Sequence, residues 1–459
     1  MKNFNRYIGL YSVYTVVYIV AFVLSRGQYN VLASISLILV AAGLYIIQVK
    51  HTGNIVDLKA IFSLSWIGGQ GIACLQLSYL QRDWAVRTWI SFFLIYIGFS
   101  LGYDLFYGKE RQAKRIETKG TEDSAKVAKK VFNCIVLITI ISTGLFIFEA
   151  IVLGFIPLFS DKPHAYSEFN LRGVHYFVVT FVFIPALTII YSKLMLPKGE
   201  SYRLRDFKNF ITSRAMILLV CNVIAIALPI LLVSRFQLLF GVGLGIIVYI
   251  IVYKELTYKM AIGCLLFLIP IYVVLSVARN HDVEYLNSIF VMRNENMPIF
   301  ISQPYIYIAN NYENFNLLVE ELDTYSLGIR MLNPFYRLSG IQFLYPGLMD
   351  MPVFITKTEL TTLTMFYDAY YDFGMVGIFV FPLVLGIVSS FLANKIGRRE
   401  NPIMFLLYGQ FVIYLGLSFF TIWFSIPTTW FYFVICVMMY IYIYFAEIKQ
   451  CVASRGFLP

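Results

Sequence analysis

The chain alternates long apolar runs with short polar connectors, and a single long polar interval, 279–372, interrupts that alternation late in the sequence. Twelve apolar runs approach or reach the ~20 residues that an α-helix needs to cross a bilayer. They cover 8–24, 31–48, 60–80, 88–106, 131–153, 174–192, 216–233, 236–252, 260–278, 373–393, 402–424 and 428–446. The pattern predicts an all-α polytopic integral membrane protein with about 12 transmembrane helices.

These elements predict a division of the chain by membrane topology. Residues 1–278 carry helices 1–9 with short loops, 279–372 form one large extracytoplasmic loop, and 373–459 carry helices 10–12 and a short cytoplasmic tail. The loop holds eleven acids, five bases and ten tyrosines in 94 residues. We therefore expect function in this loop and at the helix ends that face it.

One stretch of the loop, 313–324, has the spacing of an amphipathic helix. Its apolar positions are Phe315, Leu317, Leu318 and Leu322, and its acids Glu320, Glu321 and Asp323 lie elsewhere on the helix. The pattern predicts a helix lying on or over the membrane, or a lid packed on the spans.

Composition supports the membrane class, because 59% of the residues are hydrophobic and only 14% are charged, against about 25% charged in a soluble domain. The net charge of +10 lies in short connectors rather than on a basic face, which argues against nucleic acid as a partner. The six cysteines show no disulfide framework and no metal-ligand spacing. No nucleotide-binding loop is present, so we expect neither a metal nor a cofactor.

Lysine and arginine counts predict the orientation. With the N-terminus inside and the first run kept as an uncleaved helix, the cytoplasmic segments carry 25 basic residues and the short outer connectors carry 6. The 279–372 loop then faces outward, away from ATP and nucleotide sugars.

Ionisable groups within spans are costly and become candidates for function. Glu149 lies near the outer end of the fifth run, where it could act as a base or pair with a neighbouring helix. Asp104 is a weaker candidate, because it lies near the cytoplasmic end of its run and can reach water. His281, with an ordinary pKa near ~6.5, and Asp372 follow as second and third candidate bases. Asp372 is better placed to cap the tenth helix than to catalyse.

Arginines cluster at helix ends on the outer side. Arg172 lies just before the sixth predicted span, Arg235 lies between the seventh and the eighth, and Arg279 directly follows the ninth. Arg293 comes soon after in the long loop. The arginine fork binds phosphate in a bidentate manner, so these four predict a diphosphate site. The alternative for Arg172 is an interfacial side chain that reaches lipid headgroups.

Two short motifs lie beside the outer loops: Gly-Phe-Ile-Pro-Leu at 154–158 follows the glutamate-bearing span, and Tyr-Asp-Phe-Gly-Met-Val-Gly at 371–377 ends the long loop. These motifs resemble those of Wzy-type O-antigen and capsule polymerases, in which the second motif stands where the chain re-enters the membrane. The layout of two outer loops, the second long and late, covers roughly 130–395. The paired arginine-x10-glycine pattern of some family loops is absent, since Arg330 to Gly340 and Arg337 to Gly347 each come one residue short.

The resemblance implies a GT-C-like membrane glycosyltransferase in the bacterial cytoplasmic membrane. Its substrate would be an undecaprenyl-diphosphate-linked oligosaccharide, polymerised at the outer face, with glycan contacts from Arg330, Arg337 and Tyr371. Membrane lipids, a chain-length regulator and a flippase are the implied partners. Two alternatives stay open: a ligase that transfers finished glycan, and a lipid-linked oligosaccharide flippase or other transporter.

Overall fold

The computed structural model describes residues 2–107, 121–160, 165–195, 213–254, 283–348, 350–398 and 401–454, and these ranges are helical with turns between. The helices are α1 (Lys2–Arg26), α2 (Asn30–Thr52), α3 (Leu58–Phe62), α4 (Gly68–Ala73), α5 (Val86–Phe106), α6 (Thr121–Leu153), α7 (Ala165–Glu168), α8 (His175–Val178), α9 (Ile184–Met195), α10 (Ser213–Leu231), α11 (Arg235–Tyr253), α12 (Val283–Phe290), α13 (Ile299–Glu321), α14 (Asn333–Leu338), α15 (Tyr367–Arg398), α16 (Ile403–Gly416) and α17 (Pro427–Ser454). A π-helical turn, Ser63–Ile67, joins α3 to α4, and 3₁₀ turns lie at Pro157–Phe159, Val179–Phe183, Ile341–Phe343 and Trp423–Ser425.

Nine helices within these described ranges are long and apolar enough to cross a membrane, so the chain is an all-α polytopic membrane protein. Two of the twelve predicted spans are not among these nine helices. In the run 60–80, residues 58–73 form one continuous helix that contains the π-helical turn. In the run 402–424, the α-helix covers only Ile403–Gly416. The predicted span 260–278 lies outside the described residues.

By packing, the chain divides into two compact units that interleave along the sequence. The first unit is Met1–Ala113, Asp282–Gly397 and Tyr414–Trp430, and the second is Lys114–His281, Arg398–Ile413 and Phe431–Pro459. The long polar interval therefore packs with the N-terminal helices and with the helix that follows it. That division describes packing, whereas the predicted three-part division describes membrane topology.

In the first unit, α5 and α15 approach each other through glycines. A Cβ on Gly102 would lie 2.0 Å from the Leu383 carbonyl oxygen, and one on Gly386 would lie 2.1 Å from the Phe99 carbonyl oxygen. Small residues that allow this backbone contact are typical of helix pairs in membranes. The contact aligns α15 on α5 and so positions the start of α15, where the polar interval ends.

The predicted helix at 313–324 exists, but it begins earlier, at Ile299, and it is not a surface helix. All side chains from Ala309 to Val319 are buried, including Glu313, Asn314 and Asn316. A helix lying on a membrane would keep such polar groups in water. The arrangement fits the lid alternative, with only the predicted acidic end, from Glu320 onward, left exposed.

In the second unit, α9 packs against both α6 and α11, and α10 packs against α6. The connector 154–174 leaves α6 through Gly154 and the 3₁₀ turn, and it returns to the membrane at α8. Val233 and Leu238, on either side of the turn between α10 and α11, form a small buried cluster with Leu158 and Tyr166 of this connector. The connector and the turn therefore share one end of the unit.

Candidate functional site

Glu149 and His175 form a hydrogen-bonded pair at that end of the second unit. Glu149 lies in the last turns of α6 and is fully buried, whereas the His175 side chain, at the first residue of α8, is 21% exposed. The Glu149 Oε2 lies 3.0 Å from His175 Nδ1, and Oε1 accepts a hydrogen bond of 3.1 Å from the Leu171 backbone amide. Both carboxylate oxygens are thus held in place from the 171–175 segment.

This pairing decides which group is available for proton transfer. A buried carboxylate that accepts from Nδ1–H fixes the tautomer of the imidazole and leaves Nε2 as the proton acceptor. The partly exposed ring of His175 can reach a substrate, and the buried carboxylate of Glu149 cannot. The geometry therefore gives Glu149 an orienting role and makes His175 the group that could act as a base.

The predicted arginines differ in their separation from this pair along the chain: Arg172 is three residues before His175, and Arg235 is 60 residues after it. Arg172 is exposed and follows Leu171, whose amide binds Glu149. Arg235 is half-buried at the first turn of α11, which Ser234 caps by accepting a 3.4 Å hydrogen bond from the Gln237 amide. Arg279 and His281 lie outside the described residues. Of the predicted diphosphate ligands, Arg172 and Arg235 belong to the second unit and Arg293 to the first.

In the first unit, α13 organises the polar interval through its buried amides. Asn314 donates 3.0 Å hydrogen bonds to the carbonyls of Leu360 and Thr362, and it accepts one of 2.9 Å from the Thr356 amide. Asn310 accepts from the Thr356 hydroxyl at 2.8 Å. Buried polar groups stabilise a fold only when they are paired. Here the paired amides hold the 354–364 segment against the helix through hydrogen bonds.

Two other side chains of α13, Glu313 and Asn316, hydrogen-bond to the connector that precedes α5. The Arg82 amide donates to Glu313 Oε2 at 3.3 Å, Asn316 Nδ2 donates to Glu313 Oε1 at 3.3 Å, and the Ala85 amide donates to Asn316 Oδ1 at 3.0 Å. Burial raises the pKa of Glu313 from 4.5 to about 7. A buried carboxyl that titrates near neutral pH is a candidate for function.

Glu313 should make the stability of the protein depend on pH. Its pKa is higher in the folded than in the unfolded chain, so the unfolded chain loses this proton first as pH rises. We expect the free energy of unfolding to fall by about 3 kcal/mol between pH 4.5 and 7 from this group. Thermal unfolding in detergent should show this slope in the wild type and not in Glu313→Gln. Equal slopes would contradict the assignment, and the exposed control Glu321→Gln should keep the wild-type slope.

The side chain of Asp372 accepts hydrogen bonds from a different segment than the sequence predicts. Asp372 lies inside α15, two residues before the kink at Gly374, and its side chain caps neither part of that helix. Its buried carboxylate accepts from the Ser326 hydroxyl, from the Arg330 amide at 3.2 Å and from the Met331 amide at 2.8 Å. The predicted capping role is therefore corrected: Asp372 caps the turn at 326–331, because the chain folds back onto the kinked start of α15.

The kink itself comes from Gly374, which has φ +57° and ψ −137° inside α15. A Cβ at this position would lie 2.6 Å from the ring of Tyr325. Only glycine adopts this conformation at little cost, and here it also makes room for the docked segment. The 325–331 turn therefore packs on residues 371–377, the second of the two motifs noted in the sequence.

Arg330 is held beside this turn. Its Nε donates to Asp368 Oδ1 at 2.7 Å, and its guanidinium lies over the ring of Tyr371 at 4.5 Å and over that of Tyr367 at 5.6 Å. Burial opposes the charge, but the carboxylate of Asp368 outweighs it, and the pKa of Arg330 is raised above its ordinary value. Such a fixed cation between two tyrosine rings could contact a sugar or a phosphate through its remaining N–H groups.

The other predicted glycan and diphosphate ligands of the first unit are more open. Arg337 is exposed, and its Nε donates to Asn333 Oδ1 at 2.9 Å. Arg293 is exposed, with its guanidinium 5.5 Å from the centre of the Tyr79 ring. The structure therefore brings Arg330, Tyr371 and Asp372 together and leaves Arg337 and Arg293 outside that cluster.

A further charged cluster lies at the other end of α5. Lys59 Nζ and Asp104 Oδ2 are 2.5 Å apart, with side chains only 8% and 9% exposed, and the Tyr11 hydroxyl also donates to Asp104. Asp57 accepts from the Tyr103 hydroxyl at 3.1 Å and caps α3. Asp104, a weak candidate from the sequence, is therefore one half of a buried ion pair.

No protein-family model, no curated protein and no solved structure matches this chain. The assignment of function therefore depends on the side chains described above.

Proposed function

We propose that this protein is a membrane glycosyltransferase that polymerises oligosaccharide repeat units linked to undecaprenyl diphosphate. The observation that carries the proposal is the pair of Glu149 and His175 at the end of a membrane helix, with Arg172 directly after the amide that binds Glu149. A proton acceptor and a cation at a helix end are the two groups that such a transfer requires.

The proposed chemistry uses these groups in one step. His175 Nε2 takes the proton of the acceptor hydroxyl, whose oxygen bonds to the anomeric carbon of the donor. The bond from that carbon to the diphosphate oxygen breaks, and the diphosphate leaves with the negative charge. Arg172 and Arg235 would stabilise that charge as it develops. The first unit is proposed separately to bind glycan or phosphate through Arg330 and Tyr371, with the exposed Arg337 and Arg293 as further contacts.

Orientation is part of the proposal. We propose that the Glu149 end of α6 lies at the outer face of the bacterial cytoplasmic membrane, which the excess of lysine and arginine in the predicted cytoplasmic segments supports. The same count supports an outward-facing long polar interval. A donor that already carries a lipid diphosphate needs no nucleotide at that face. A flippase and a chain-length regulator would be the partners of such an enzyme.

Surface glycan from a deletion strain tests the activity. We expect a polymer ladder to collapse to single repeat units without the gene and to return with the wild type. Arg172→Ala and Arg235→Ala should each slow polymer formation about a hundredfold, since each removes a charged contact to the leaving group. Arg214→Ala, at the opposite end of α10 and exposed, is the matched control and should restore the full ladder.

The same gel separates the alternatives. Complete polymer retained on its lipid carrier would indicate a ligase, and loss of all outward-facing repeat units would indicate a flippase. Full-length ladders from both arginine variants, present in the membrane at wild-type amounts, would remove the diphosphate assignment.

A further inference from the structure

The segment 332–348 of the first unit presents an unusual amount of apolar surface. It contains one charged residue, Arg337, and many of its large side chains are uncovered. Phe343, Leu344 and Tyr345 are 67%, 75% and 66% exposed. The exposed group also includes Leu332, Phe335 and Ile341. A contiguous apolar surface of this kind marks contact with a membrane or another molecule.

The segment has a defined structure. It consists of α14, a left-handed Gly340 with φ +79° and the 3₁₀ turn Ile341–Phe343. The Tyr336 hydroxyl donates to the carbonyl of Tyr345, which folds the second half back on the first. The exposed side chains are therefore presented by an ordered loop and not by an extended strand of chain.

Its anchoring contacts place the loop at the ends of membrane helices. The preceding residues dock on the first turns of α15, where the Leu327 amide donates 3.1 Å to the carbonyl of Asp372. Asn333 Nδ2 donates 3.0 Å to the carbonyl of Ser425, two residues before α17 begins. The Phe335 ring lies 4.8 Å from that of Trp430, in the first turn of α17. Both α15 and α17 contain stretches long and apolar enough to span a membrane.

Aromatic side chains at the ends of membrane helices are typical of the boundary between lipid headgroups and acyl chains. A mixed aromatic and aliphatic surface with a single basic residue also suits that boundary, because the arginine can meet headgroup phosphates. We infer that residues 332–348 form an interfacial anchor that inserts into the phospholipid leaflet at this end of the first unit. The large polar interval is then partly a membrane-bound element and not wholly a water-facing loop. This inference does not depend on the transfer activity proposed above.

Fluorescence quenching on the full-length protein in phosphatidylethanolamine–phosphatidylglycerol vesicles tests it. An environment-insensitive fluorophore is attached to Phe343→Cys, to Leu344→Cys as an independent second site, and to Thr324→Cys as an exposed polar control in the same unit. The four described native cysteines are buried, and wild-type protein treated in the same way gives the background. We expect phospholipids carrying a headgroup-proximal nitroxide to quench sites 343 and 344, and aqueous iodide to quench only site 324.

Each other result overturns the inference. Quenching of sites 343 and 344 by iodide alone would place the loop in water. Protection from both quenchers would mean that protein covers it, such as a second copy of the chain. Loss of lipid quenching on addition of undecaprenyl phosphate would show that a polyprenyl chain, and not bulk phospholipid, occupies the surface.

Discussion

Replacement of His175 by alanine should slow glycan transfer by about 10²- to 10⁴-fold, the usual contribution of a positioned general base. The reason is the geometry at the end of α6: Glu149 is buried and committed to His175 Nδ1 and to the Leu171 amide. The imidazole is the partly exposed member of the pair, which supports its proposed role as the proton acceptor. Single-turnover transfer with purified protein and lipid-linked repeat units measures the step directly.

The same assay separates the two roles. Glu149→Gln cannot accept from both His175 and Leu171, so it should lower the rate through a misplaced imidazole while lipid-linked donor still binds. His51→Ala, exposed near the end of α2, is the matched control and should turn over normally. Normal turnover by His175→Ala together with a loss in His281→Ala would move the base to the other predicted candidate.

Glu149 is conspicuous in the sequence, but its contact with His175 is not. A glutamate within an apolar run is conspicuous because burying an unpaired carboxylate is costly. His175 lies within the sixth predicted span as well, and only four histidines occur in the chain, so the same rule could have selected it. The pairing across 26 residues is a tertiary contact, however, and no periodicity in the sequence reports it.

The helical spans followed from run length wherever the backbone is regular. In the run 60–80 the helix covers residues 58–73 and contains a π-helical turn, Ser63–Ile67, which run length cannot report. For α13, the sequence left a surface helix and a packed lid open, and the structure has the packed one. The polar sequence around Asn310 and Asn314 suggests exposure, but here each amide pairs with a neighbouring backbone segment, which allows the helix to enter the core.

Asp372 shows a third limit of sequence reasoning. Its position near the start of a span predicted a capping role, and it does cap backbone amides, but those of the 326–331 turn more than forty residues earlier. Sequence proximity favours local capping partners. The kink at Gly374 turns the first two turns of α15 toward a distant segment, and only the folded chain shows which segment it is.

Lys59→Met should destabilise the protein by about 3–5 kcal/mol, the range expected when one partner of a buried ion pair is removed. Lys59 is the cation paired with Asp104, at 2.5 Å, and both side chains are more than nine-tenths buried. Without it the Asp104 carboxylate keeps only the neutral Tyr11 hydroxyl among its described donors. The apparent midpoint of thermal unfolding in detergent should fall accordingly.

The double variant Lys59→Met/Asp104→Asn decides between charge and packing as the cause. Asparagine keeps an oxygen for the Tyr11 hydroxyl but removes the uncompensated charge, so the double variant should be more stable than Lys59→Met alone. Lys50→Met, exposed in the last turn of α2, is the control and should shift the midpoint little. If the double variant is no more stable than Lys59→Met, the loss comes from packing of the long side chain and not from the buried charge of Asp104.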